Sequence, residues 1–235
     1  MERDAVVRSV FTPVRAASTF EGTVERLGTA IRTGILPAGS QLPAERTLAD
    51  ELGISRSTLR QALTTLVQSG HLVSLRGRSG GTFVTERPPL ADTSAMPLGA
   101  EAWAVLDYRV AIETGATVLA AERANADDCE RLDALVERMW EVPDFDVYRR
   151  ADIRFHIGLA EAAGSPRLVS AMTEVQGRMS ELITRIAHPP EVLTHANNQH
   201  RRLVQLLRRR DTIRAVQLVR EHIEGTEHIL AGLLR

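Results

Sequence analysis

The chain has 235 residues, of which 43% are hydrophobic and 25% charged, and 29 basic against 30 acidic side chains leave a net charge of −1. That balance fits a folded soluble globule and excludes a disordered acidic tail, a collagen-like fibre and a polycation. Every basic residue is arginine; without lysine the chain has neither a Schiff-base amine for a pyridoxal-phosphate enzyme nor the phosphate-binding lysine of a Walker loop.

No run approaches the roughly 18 apolar residues of a membrane span, and no apolar stretch follows the first charges as a secretory signal would. Cys129 is the single cysteine. It has no internal disulfide partner, so a reducing cytoplasm is expected. Residues 1–87 carry a balance of +3 and residues 88–235 a balance of −4, which suggests a basic half and an acidic half with separate jobs. The stretch 87–98 is rich in proline and small residues and reads as a linker. The expected organisation is therefore a first domain over 1–86 and a second over 99–235.

In the first domain, Val24, Leu27 and Ile31 recur at helical spacing, which predicts a helix over 20–33. Gly34 and Pro37-Ala38-Gly39 end it in a turn. A short helix follows over 44–52, stopped by Gly53, and Ser55 is a good N-cap for a third. That third helix buries Leu59, Ala62, Leu63 and Leu66 and leaves Arg56, Ser57, Thr58, Arg60, Gln61 and Thr64 on its other faces. Gly70 ends it. Two β-like pieces, 72–75 and 82–85, are joined by Arg76-Gly77-Arg78-Ser79-Gly80-Gly81. Two short helices across a tight turn and then a basic hairpin make a winged helix-turn-helix. Arginine pairs bidentately with guanine edges or phosphates, and Ser or Thr at a helix start donates to phosphates. Arg56 and Arg60 are the expected base readers; taken alone, they would equally suit a solvated helix face.

The segment LPAERTLADELGISRSTLRQALTTLVQSGHLVSLRGRSGGTFV resembles the N-terminal signature of the GntR family of bacterial transcription regulators, over residues 20–86. By position in that motif, the resemblance implies DNA contacts at Arg46, Ser55, Arg56, Ser57, Thr58 and Arg60, with wing contacts at Arg76 and Gly77. Arg46 suits a phosphate or the site edge.

After residue 99 the pattern is helical throughout, with stretches over about 99–124, 127–140, 144–163, 166–187, 191–209 and 212–234. Trp103, Leu106 and Val110 are expected to give the first its apolar side, and Val216, Val219, Ile223, Leu230 and Leu233 the last. Six such helices predict a mainly α protein whose second domain is an all-helical antiparallel bundle. Four polar residues stand on apolar stripes. Asp152 and His156 are i and i+4 on the face of Phe155, Leu159 and Ala163. His200 shares a stripe with Leu203, Val204 and Leu207, and His222 with Leu218, Val219 and Ile229. Buried unpaired, such groups would cost about several kcal/mol each. One divalent metal ion would compensate all four. These donors suit zinc foremost, or nickel, manganese or iron, and leave coordination positions open. The plainer alternative is that each is a core histidine bonded to a backbone carbonyl. His188, His195 and His228 lie off these stripes and are not expected to bind metal.

The segments ADIRFHIGLAEAAGSPRL, NQHRRLVQLLRRRD and AVQLVREHI resemble the FCD ligand-binding domain of the FadR-like GntR branch, over residues 100–230. The resemblance implies a metal held by Asp152, His156, His200 and His222, and recognition of small carboxylic acids. Ser165-Pro166 stands where members often have asparagine, a change expected to affect helix capping. In the family pattern an arginine at Arg109 faces the pocket and clamps the effector carboxylate; an ion pair with Glu113 is the alternative. Arg178 and Arg185 are weaker pocket candidates.

The expected function is a non-enzymatic transcription regulator, in the repressor sense. As a homodimer it would bind a palindromic operator in double-stranded DNA and be modulated by a small carboxylic acid at the metal site. The alternatives are a regulator sensing the metal itself and a metallohydrolase; the latter lacks an HExxH motif and an evident general base.

Overall fold

The computed structural model describes residues 10–11, 13, 19–77, 80–89, 99–141 and 144–233. Most of the expected linker, and the wing tip at Arg78 and Ser79, lie outside them. In chain order the elements are α1 (Thr19–Arg32), α2 (Glu45–Leu52), α3 (Arg56–Gln68), β1 (Leu72–Leu75), β2 (Gly81–Val84), α4 (Ala100–Arg123), α5 (Ala126–Glu141), α6 (Phe145–Ala162), α7 (Pro166–Ile183), α8 (Pro190–Arg208) and α9 (Thr212–Leu233). Among the described residues the protein is mainly helical, with one two-stranded sheet. Helix α7 stops at Ile183, short of the expected 187.

The chain forms two compact units. The first holds Met1–Leu98 together with Arg185–Glu191 and Glu224–Arg235; the second holds Gly99–Thr184 and Val192–Ile223. The second and third segments of the first unit come from the stretch that sequence assigns wholly to the bundle.

In the first unit Leu27, Leu48, Leu52, Leu59 and Leu66 are fully buried and pack α1 and α2 on α3. Gly53, at φ +66°, ends α2 in the left-handed region that glycine enters without penalty, which allows the tight turn into α3. Strands β1 and β2 pair antiparallel, from Leu72 opposite Val84 to Leu75 opposite Gly81.

A second stripe of α1, at Glu21, Glu25 and Gly28, meets the last turns of α9. A Cβ on Gly28 would lie 2.3 Å from the carbonyl oxygen of Gly232, and one on Gly232 would lie 2.7 Å from Cα of Glu25. Only side chains reduced to hydrogen let the two backbones come so close. Residues 224–233 therefore belong to the first unit for a steric reason that helical periodicity does not reveal.

The second unit buries Leu132, Val136, Phe155, Leu159, Leu203, Val204, Leu207, Val219 and Ile223 in one cluster. Ala116, Ile157, Ala160, Met172 and Val175 form a neighbouring one. Leu106 is buried as expected, but Trp103 is not: it is 47% exposed. It sits in the first turn of α4, which has apolar residues on several faces, so the spacing of Trp103, Leu106 and Val110 does not single out the buried one.

Candidate DNA-reading surface and metal centre

In the first unit, Ser55 caps α3 as its spacing predicts: its Oγ accepts a hydrogen bond from the Thr58 N–H at 3.0 Å. The same oxygen lies 2.8 Å from the hydroxyls of Ser57 and of Thr58. Three hydroxyls and the free N–H groups of a helix start thus gather at one point, a composition suited to a phosphate. Arg46, Ser55, Arg56, Ser57 and Arg60 are exposed, and Thr58 is half-buried. Arg76 and Gly77 are exposed on the hairpin after β1. The two expected base readers differ. Arg60 Nε donates to Glu45 Oε2 at 2.7 Å, which ties it to α2. Arg56 forms no ion pair among the described residues.

In the second unit, α6 supplies Asp152 and His156, α8 supplies His200 and α9 supplies His222. The three imidazoles converge: one nitrogen from each lies within 4.8 Å of the others. All three rings are buried. Asp152 stands beside the cluster. Its Oδ1 lies 3.8 Å from Nε2 of His156 and 3.7 Å from Nε2 of His200. Its Oδ2 accepts a short hydrogen bond from Arg149. His188, His195 and His228 are not part of the cluster.

Burial sets the charge states. It drives the His200 imidazole down to about 3. It holds His222 well below its ordinary value, with His200 adding to the effect. Both rings are therefore neutral near pH 7 and offer lone pairs. Burial pushes Asp152 up, but the charges of Arg149, His156 and His200 together prevail and hold it below the ordinary carboxylate value. Glu113 follows the same logic, with Arg109 and His156 outweighing burial.

The residues fit a divalent metal ion. Both ring nitrogens of His156 and both of His200 are buried without a hydrogen-bond partner among the described residues, and a buried polar atom left unpaired is costly. A cation bound by one nitrogen of each ring and the Asp152 oxygen would remove part of that cost.

Five further side chains surround the cluster. Nδ1 of His156 lies 3.0 Å from Glu113 Oε2, an oblique approach at hydrogen-bond distance. Glu113 Oε1 accepts from Arg109 Nε at 2.7 Å and from Gln176 Nε2 at 2.9 Å. Gln176 Oε1 accepts from Arg149 Nη2 at 3.2 Å. His222 Nδ1 lies 2.9 Å from Gln199 Oε1. Sequence reasoning met Glu113 only as a partner for Arg109 and missed Arg149, Gln176 and Gln199. Arg149 had a usable signal, an arginine three residues before a buried carboxylate. Arg109 is 3% exposed and engaged by Glu113, so the ion-pair alternative is present in the fold. Arg178 and Arg185 are both exposed.

Residues 19–84 match the bacterial regulatory proteins of the gntR family, and residues 104–225 match the FCD domain. The chain belongs to the GntR family. The winged helix-turn-helix is the DNA-binding part of this GntR regulator, and its FCD domain spans all three histidines of the cluster. It is 35% identical over 217 residues to a Mycobacterium gastri protein described as an HTH-type transcriptional regulator, RmpR, covering 86% of this chain and 77% of that one. An Escherichia coli K12 protein described as an L-lactate dehydrogenase operon regulatory protein is 34% identical over 185 residues, covering 73% and 70%. The transcriptional repressor NanR of Cronobacter sakazakii is 29% identical over 238 residues, covering 94% and 89%. These relatives are regulators, not enzymes. The fold is shared with the solved structure of Escherichia coli McbR/YncC, at a TM-score of 0.52 and 21% identity over 90% of this chain and 96% of that one. Among the described residues no helix is long and apolar enough to cross a membrane.

Proposed function

We propose that this GntR regulator binds a palindromic operator as a homodimeric repressor. A small carboxylic acid, bound with a divalent metal ion at Asp152, His156, His200 and His222, would alter its operator affinity. The supporting observation is the convergence of three buried imidazoles beside a carboxylate. Zinc suits these donors best, with nickel, manganese or iron as alternatives. When bound, the ion supplies a Lewis-acid position for an oxygen ligand.

The charge balance favours an anion. Arg109 and Arg149 are matched by Glu113 and Asp152, so a divalent cation leaves the buried site positive, which a carboxylate offsets. Lactate is the first acid to test, given the relative described by the L-lactate dehydrogenase operon. The repressor sense draws on the resemblance to NanR. The acid acts only if it binds the DNA-competent and DNA-free states with different affinity.

The test uses duplex DNA selected from a random pool by the protein. Binding is titrated with lactate and other small acids, on chelator-stripped protein and on the same protein reloaded with zinc. A change of about five-fold or more in operator Kd, seen only with metal and acid together, is expected. Operator binding that follows metal alone would replace the acid by the ion as signal; indifference to both would remove the reading.

A further inference from the structure

Of the residues around the histidine cluster, several supply no ligand yet form an almost closed circuit with it. Asp152 Oδ2 takes a hydrogen bond from Arg149; Arg149 donates to Gln176; Gln176 donates to Glu113; and Glu113 faces Nδ1 of His156. The circuit returns to Asp152 Oδ1, 3.8 Å from Nε2 of His156. Each link has one chemical sense. Arginine only donates, so the Gln176 oxygen must face Arg149, and its NH2 must then face Glu113. An ionised carboxylate only accepts, so the Glu113 oxygen opposite His156 attracts an N–H and repels a lone pair.

We infer that Glu113, oriented by Gln176, is a positioning residue that holds His156 as the Nδ1–H tautomer and turns its Nε2 lone pair toward the metal. Arg149 does the corresponding work on Asp152 by occupying Oδ2 and leaving Oδ1 to face the imidazoles. Gln199 Oε1, 2.9 Å from Nδ1 of His222, would favour the same tautomer there. The inference rests on the metal reading above for its purpose, but the tautomer is a property of the metal-free protein and is measured separately. Hydrogen-bonded outer groups of this kind fix ligand orientation and are commonly worth about 10- to 100-fold in metal affinity.

Two measurements decide it, both on the full chain. The first is the ring-nitrogen NMR spectrum of metal-free protein, with His156 assigned by loss of its signals in His156→Gln. Nδ1–H at His156 is expected; Nε2–H there overturns the assignment whatever the metal does. The second is zinc affinity by chelator competition for wild type, Glu113→Gln and Glu113→Asp, with circular dichroism as the folding check. Glutamine lacks the negative charge that faces Nδ1 of His156 at 3.0 Å, so Glu113→Gln is expected to bind zinc about 10-fold or more weakly. Glu113→Asp, which keeps the charge, should recover part of that loss. Unchanged affinity in folded Glu113→Gln overturns the positioning role. A wild type that takes no zinc but shows Nδ1–H at His156 would remove the metal reading and leave the tautomer assignment standing.

Discussion

Nδ1 of His228 lies 2.5 Å from Oε2 of Glu25, joining α9 to α1 across 203 residues of chain. The hydrogen bond from the ring to Glu25 favours the imidazolium. Burial opposes it, and the charges of Glu25, Glu21 and Glu227 assist it, so the pKa lies above its ordinary 6.5. A group whose pKa rises on folding stabilises fully below its unfolded value and loses that contribution as pH climbs through the folded one. The wild-type melting temperature should therefore fall more steeply above about pH 6.5 than that of His228→Gln. The two side chains are 28% and 36% exposed, so the difference is about 1 kcal/mol at most. Parallel pH slopes would show that the pair adds nothing.

Two glycine substitutions should act in opposite directions. The Cβ of Gly28→Ala would meet the Gly232 carbonyl oxygen at 2.3 Å, against backbone that cannot swing aside. We expect a loss of about 1–3 kcal/mol in urea unfolding. Gly177, exposed on α7, has open space where a Cβ would stand, with no atom within 4 Å. Gly177→Ala should therefore gain about 0.5–1 kcal/mol from helix propensity. A Gly28→Ala variant as stable as wild type would contradict the close helix approach.

His200 sets an acid limit on the metal-free protein. Its pKa drops from 6.5 in the unfolded chain to about 3 in the fold. The unfolded chain therefore takes up the proton first, and stability declines as pH falls below about 6.5. The loss reaches on the order of a few kcal/mol near pH 4, since each pKa unit is worth about 1.4 kcal/mol. His200→Phe should flatten this slope in chelator-stripped protein. The same acid range should release bound metal, because ligation needs neutral imidazoles.

On the DNA side, Arg56→Ala and Ser55→Ala separate reading from folding. Arg56 is exposed and forms no ion pair among the described residues, so its truncation should leave the melting temperature unchanged while weakening operator binding by about 1–3 kcal/mol. Ser55→Ala removes the α3 cap and should cost about 1 kcal/mol of stability as well. Equal operator affinity for Arg56→Ala and wild type would remove Arg56 from base reading.

Arg109→Met distinguishes an effector clamp from a partner for Glu113. If Arg109 holds the effector, acid response is lost while zinc content is kept. If it serves only to neutralise Glu113, acid response is kept, while the buried carboxylate is left with Gln176 but without its guanidinium and stability falls by roughly 3–5 kcal/mol. Calorimetry with lactate beside thermal unfolding reads both.

Much of the site was legible because burial leaves a periodic trace. Asp152 and His156 occupy one turn of an apolar stripe, and His200 and His222 interrupt two others, so their convergence follows once the stripes pack inward. The surrounding layer leaves no such trace. Gln176 and Gln199 are amides whose meaning depends on residues brought beside them by packing, and Glu113 reads equally well as a partner of Arg109 alone. Trp103 shows the reverse case, a large apolar residue at the right spacing that stays at the surface because α4 has more than one apolar face. The assignment of 224–233 was hidden for a different reason, since Gly225 and Gly232 look like weak points in a helix until the Glu21 side chain is seen against the one and the α1 backbone against the other.

That last contact bears on how the molecule should be dissected. The trough on α1 between Glu21 and Gly28 is floored by glycine and closed by residues far along the chain. A fragment cut after residue 98 would carry α3 but leave this trough bare to solvent. The compact unit that carries α3 is discontinuous in sequence, so a fragment meant to preserve it would tether the closing turns of α9 back onto the first 98 residues.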